Sequence, residues 1–89
     1  MELKYEKNRV VLMDSLKEVG FCSYIQKDDV WIIDHTVVDH EYQGQGLAKK
    51  LLYLVIDEAR KKGKKIIPQC SYALYQFERD SDLQDLWYK

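Results

Sequence analysis

Two kinds of residue in this chain have the means to do chemistry: the glycines of Gln43-Gly44-Gln45-Gly46-Leu47-Ala48, and the single thiol of Cys70 with the imidazole of His35. The glycine stretch lies between an extended, β-branched run, Val30 to Val38, and a run with helical spacing of apolar residues, Leu47, Leu51, Leu54 and Val55, widened by Ala48, Leu52 and Ala59. A strand that enters a glycine turn and leaves as a helix gathers unpaired backbone N–H groups and the positive end of the helix dipole around one small volume, which suits phosphate. Glycine lacks a Cβ, so an anion can approach bare backbone there. A tight connection with no ligand is the alternative.

Two familiar phosphate loops do not fit. A P-loop closes on Lys-Ser or Lys-Thr, and Lys49 is followed by Lys50. A dinucleotide fingerprint needs a third glycine at position 49 and an acidic residue closing the next strand, where Lys49 and Gln69-Cys70 stand. A shorter pattern, Gln/Arg-x-x-Gly-x-Gly/Ala, is matched by Gln43, Gly46 and Ala48.

With that loop, with His35-Thr36-Val37-Val38 before it and Ile66-Ile67-Pro68-Gln69-Cys70-Ser71-Tyr72 after the helix, the sequence resembles the GNAT superfamily of acetyl-CoA-dependent N-acetyltransferases. It is similar in particular to the small members that consist of little more than the cofactor-binding half of the fold, over about residues 8–80. The resemblance implies acetyl-CoA or coenzyme A as cofactor, with the diphosphate on the N–H groups of Gln43, Gly44, Gln45, Gly46, Leu47 and Ala48. It places the pantetheine amides on the backbones of Val37 and Val38, and the thioester near Cys70. Lys49, in the first helical turn, either reaches a phosphate or is a solvated surface lysine.

Under the same resemblance Cys70 is a candidate acyl acceptor, since a thiolate is a good nucleophile; as a bland alternative it is a small buried hydrophobe. His35 is placed on one face with Trp31, Ile33 and Val37 and is a candidate general base, or hydrogen-bonded filler. Larger relatives carry Asn, Ala and Tyr where this chain has Cys70, Ala73 and Phe77. Phe77 has no proton to give a leaving thiolate, which leaves Tyr72 or Tyr75 as substitutes. The short Asp14-to-Glu18 connection has no room for the helices that usually build an acceptor pocket. An open acceptor site follows, suited to a protein tail, a polyamine or a small amine, or one completed by a second copy or a partner protein. The implied function is acetyl transfer to an amine; the alternative is a non-catalytic CoA-binding or protein-interaction module on the same fold.

The remaining residues set the frame that positions these groups. Eighty-nine residues, 33% charged and 46% hydrophobic, with a net charge of −1, describe one domain with no general footprint for nucleic acid, and the resemblance implies that residues 1–89 are N-acetyltransferase-like. Arg60-Lys61-Lys62-Gly63-Lys64-Lys65 reads as the solvated end of the helix. No apolar stretch has the length of a membrane span or a signal-peptide core, so the expectation is a cytoplasmic protein without membrane contact. Cys22 and Cys70 with His35 and His40 lack the spacing of a metal site.

The expected fold class is α+β (α/β). Arg9 to Met13, Val19 to Gln26 and Val30 to Val38 form an antiparallel three-strand meander, followed by a βαβ unit. Its helix runs from about Leu47 to Lys62 and stops at Gly63. Its second strand spans Lys64 to Cys70 and splays from the first. A C-terminal helix from Tyr72 to Arg79 has Ala73, Phe77 and Leu74 inward, and Ser81 with Gln84 has capping-box spacing.

Overall fold

Alternating apolar and polar residues build five strands in the computed structural model, which describes residues 1–89. They are β1 (Glu2–Glu6), β2 (Arg9–Asp14), β3 (Lys17–Lys27), β4 (Val30–Val38) and β5 (Lys65–Pro68), with helices α1 (Leu47–Lys61) and α2 (Ser71–Arg79). The strands lie in the order β1-β2-β3-β4-β5. The first four are antiparallel neighbours; β4 and β5 are parallel, from Val30↔Lys65 to Ile33↔Pro68. The meander therefore has four strands, not three. Glu2-Leu3-Lys4-Tyr5-Glu6 pairs along β2 in spite of its weak strand formers, because β2 offers a free edge. Two-residue turns join the strands, with Ser15 and Asp28 each at φ 55°.

Both helices cover one face of the sheet. Val10, Leu12, Cys22, Trp31, Ile33 and Ile66 meet Leu51, Leu52, Val55, Ile56 and Ala59 of α1 and Ala73 and Phe77 of α2 in one buried cluster. Burying each large aliphatic side chain is worth about 1.5–3 kcal/mol. Leu74, expected inward, is exposed, because Ala73 and Phe77 already span the contact face of this two-turn helix. α1 ends as its sequence foretold, with Gly63 at φ 69° and the Lys64 N–H donating to Ala59 O at 2.9 Å.

A one-residue irregularity in β4 corrects the expected face of His35. Ser23 pairs with His35 and Tyr24 with Ile33, so Asp34 is an extra residue between two pairs. Such a bulge reverses the alternation beyond it. Trp31 and Ile33 face the helices, as do Thr36 and Val38 after the bulge; His35 and Val37 turn to the opposite, uncovered face and are exposed.

The C-terminal residues return to the sheet. Ile66 N–H donates to Leu86 O and Tyr88 N–H to Ile66 O, both at 2.8 Å, and the Trp87 ring meets Phe77 edge-on at 5.7 Å. The turn Ser81–Leu83 is capped by Asp80, whose carboxylate accepts the Asp82 N–H at 2.9 Å, and not by Ser81. Gln84 instead donates its amide to Phe77 O at 2.8 Å. No helix is long and apolar enough to cross a membrane.

Candidate functional site

The parallel pair ends early. β5 stops at Pro68, and the N–H groups of Gln69 and Cys70 both donate to Ile33 O at 3.0 Å. β4 runs on to Val38 paired with β3 but with no strand on its other edge, so β4 and β5 part at Ile33. The sequence placed the end of β5 at Cys70; Pro68 ends it sooner because proline has no N–H for the ladder. In the part of β4 that continues, Asp39 N–H donates to Val19 O, and Val37 O turns toward Gly20. Backbone groups alternate sides along a strand. Thr36 and Val38 therefore present theirs to the opening, whereas those of Val37 face β3.

Between β4 and α1 the chain makes one turn of 3₁₀ helix, His40–Tyr42, pinned by the Tyr42 hydroxyl donating to Asp14 at 2.5 Å. That bond holds the Tyr42 hydroxyl's pKa above its ordinary value. Gly44 and Gly46 then take φ of 84° and 75°, the left-handed region that a side chain would strain. Gly46 is the N-cap of α1 and offers no side chain to it. The N–H groups of residues 44–49 accordingly have no partner within the protein, while Gln43 N–H is bound to His40 O. Five of these six residues, Gln45 being the exception, line a cleft of about 290 Å³ at the positive end of a four-turn helix, with Thr36, Val38, Tyr42 and Tyr72. Gln43 contributes its side chain, which donates to Val38 O at 3.1 Å. Lys49 borders the cleft and lies 5.7 Å over the Tyr53 ring.

Cys70 lies where the two strands part, next to Thr36 of the cleft wall. It is the N-cap of α2, its Sγ accepting the Ala73 N–H at 3.4 Å, and it lies 3.5 Å from Thr36 Oγ1. On the far side of Thr36, at 3.5 Å, is Cys22 Sγ, whose thiol burial pushes up to about 12. The structure sets Cys70 beside the cleft of the glycine loop, in contact with its wall through Thr36, and leaves His35 out of it. The imidazole is on the other face of the sheet, 3.3 Å from the Asp34 carboxylate. No three His, Cys, Asp or Glu side chains come together in a way that would hold a metal ion.

A diverging parallel pair, a capless helix behind a glycine turn and a thiol at the fork are joined by a direct sequence match: residues 5–86 fit the family model of the GCN5-related N-acetyltransferases. The chain belongs to that family. A GCN5-like protein of Staphylococcus aureus, solved by NMR, is 34% identical with a TM-score of 0.80, over 98% of this chain and 87% of that one. The ribosomal-protein-S18-alanine N-acetyltransferase of Escherichia coli is 26% identical with a TM-score of 0.65, over 84% of this chain and 52% of the enzyme. This GCN5-related chain thus spans about half the length of the E. coli enzyme. The N-acetylglutamate synthase of Neisseria gonorrhoeae, crystallised with coenzyme A and N-acetyl-glutamate, shares the fold at a TM-score of 0.64 and 18% identity, over 80% of this chain and 18% of that one. No curated protein shows significant similarity to the chain.

Within this GCN5-related fold, sequence reasoning passed over Thr36 as a residue of the cleft, while Tyr72, named as a substitute proton donor, does line it. Thr36 was hidden by the bulge at Asp34. Tyr72 had a visible signal, being two residues after Cys70 at a helix start. Its hydroxyl accepts the Gln76 amide at 3.2 Å.

Proposed function

We propose that this protein binds acetyl-CoA and transfers its acetyl group to an amine. The observation that carries the reading is the run of six partnerless N–H groups at residues 44–49, on a helix with no side-chain cap. A diphosphate fits such a row of donors, and nothing in the loop competes for it. The backbones of Gly44, Gln45, Gly46, Leu47, Ala48 and Lys49 hold the phosphates. Gln43 steadies the loop through Val38 O, and the Thr36 and Val38 edge receives the amides of the pantetheine arm.

Bound acetyl-CoA supplies an acetyl group activated as a thioester. Cys70 is the nucleophile at the fork. In the two-step form its sulfur bonds to the acetyl carbon as the donor's carbon–sulfur bond breaks, and the amine nitrogen then takes the acetyl from Cys70 and gives up a proton. His35, facing away, does not serve Cys70 as a base. Phe77 is buried against Trp87, and of the two tyrosines in the cleft Tyr42 donates its proton to Asp14, which leaves Tyr72 as the phenol with a proton to give.

A second reading, a CoA-binding module without turnover, is favoured by that same Phe77. Calorimetric titration with acetyl-CoA, using ATP and NADH for comparison, followed by intact-protein mass measurement, separates the possibilities. Tight binding of acetyl-CoA alone, and an acetyl mass lost in Cys70→Ala, support the catalytic reading. Binding without any acetyl transfer to cysteine or amine leaves the module. Failure to bind overturns both.

A further inference from the structure

Three groups form a line from the core to the cleft: Cys22 Sγ, Thr36 Oγ1 and Cys70 Sγ, with 3.5 Å between successive members. Thr36 has one proton and a hydroxyl oxygen able to accept, so it can donate to only one of the two sulfurs. Cys22 is fully buried, and Thr36 Oγ1 is the sole hydrogen-bond partner of its thiol. If Thr36 donated to Cys22, the buried S–H would have no acceptor. If Cys22 donates, every proton is placed: the Cys22 S–H on Thr36, the Thr36 O–H on Cys70, and the proton of Cys70 free to leave into the cleft.

We propose that Thr36 is a positioning residue which, held by the buried Cys22 thiol, aims its hydroxyl proton at Cys70 Sγ and so prepares that sulfur to act as nucleophile. The inference rests on the reading of Cys70 as acyl acceptor. Cys22 supports the direction of the chain independently, since its pKa, pushed up to about 12, keeps its proton in place at neutral pH. Cys70 Sγ then receives two donors from different elements, Thr36 O–H from β4 and Ala73 N–H from the start of α2. Two donors on one sulfur fix its position and the direction of its lone pairs at the fork. The Cys22 thiol, which does not itself line the cleft, acquires a role in setting the polarity of the line through Thr36.

The test is the rate at which iodoacetamide alkylates Cys70 at neutral pH, the sulfur displacing iodide, with peptide mass mapping to separate Cys70 from Cys22. Thr36→Val, which keeps the shape and removes the hydroxyl, is expected to slow the reaction roughly fivefold to tenfold, the scale of one ordinary hydrogen bond. Thr36→Ser is expected to stay within about twofold of the native protein, since any merely steric role would tell Ser and Thr apart more than Val and Thr. Cys22→Ser, which can still donate, is expected to react as the native protein does, and Cys22→Ala more slowly. A Thr36→Val protein that reacts at the native rate overturns the proposal. So does a Thr36→Ser protein as slow as Thr36→Val, or, should Thr36→Val not fold, a Cys22→Ala protein as fast as Cys22→Ser. Absence of acetyl transfer to Cys70 in the native protein, with the alkylation series as expected, would instead overturn the acyl-acceptor reading and leave the line of donors standing.

Discussion

Gly20 and Leu51 approach so closely that a Cβ on the glycine would lie 3.2 Å from Leu51 Cδ1, and 3.0 Å from Val37 O. This is the point where α1 rests on β3 directly beside the cleft strand. Gly20→Ala must push the helix or the strand aside, and a loss of about 1–3 kcal/mol in stability is expected from the overpacking. Chemical denaturation of the two proteins checks it.

Ala48→Glu separates the phosphate site from the helix that makes it. A carboxylate in the first turn of α1 favours the helix dipole and is expected to hold or raise the melting temperature, by up to about 0.5 kcal/mol. The same charge repels a diphosphate, so affinity for CoA should fall at least about tenfold. Calorimetry and thermal melts on one sample read both effects. Retained CoA affinity would place the diphosphate elsewhere.

The Tyr53 hydroxyl donates to Asp80 at 2.7 Å, tying α1 to the end of α2. The bond lowers the Asp80 pKa from 3.8, and burial together with the bond raises that of Tyr53 from 10.0 to about 12. For the lowered carboxylate, the stabilisation is present above the unfolded value and is lost as pH falls through the folded one. For the raised phenol, it is present below 10 and is lost as pH rises toward 12. Thermal melts from pH 2 to 11 should show both arms, with the acid arm reduced in Asp80→Asn and the alkaline arm reduced in Tyr53→Phe.

Trp87 covers the Phe77 ring and sits in the backbone bridge to Ile66. Trp87→Ala is expected to cost about 2 kcal/mol, and Tyr88→Ala, half exposed, less than about 0.5 kcal/mol. Equal effects would mean that the C-terminal segment is held by its backbone alone.

The glycine turn and α1 with its stop at Gly63 were legible because glycine and helical spacing each have a local structural meaning, whereas the divergence of β4 from β5 was expected only from the family resemblance. What was missed depended on pairing between strands. Whether Asp34 bulges is decided by how β4 registers on β3, and strict alternation put His35 where Thr36 belongs. β1 alternates correctly in Leu3 and Tyr5, but its glutamates and lysine hid a strand that only the free edge of β2 reveals. The role of Cys22 had no sequence signal either, since it arises from the side chain that faces it across two strands.

Sheet order and chain order coincide in this protein, and that governs how the molecule assembles. Each of the first four strands finds its partner across a hairpin, at small cost in loop closure, so the meander can zip along its length quickly. Only β5 must cross over, and it can do so only when α1 has condensed onto the meander. The commitment to fold therefore falls on that docking, with the glycine turn as its hinge. During synthesis the four hairpin-paired strands therefore emerge from the ribosome before the segment that completes the cleft does.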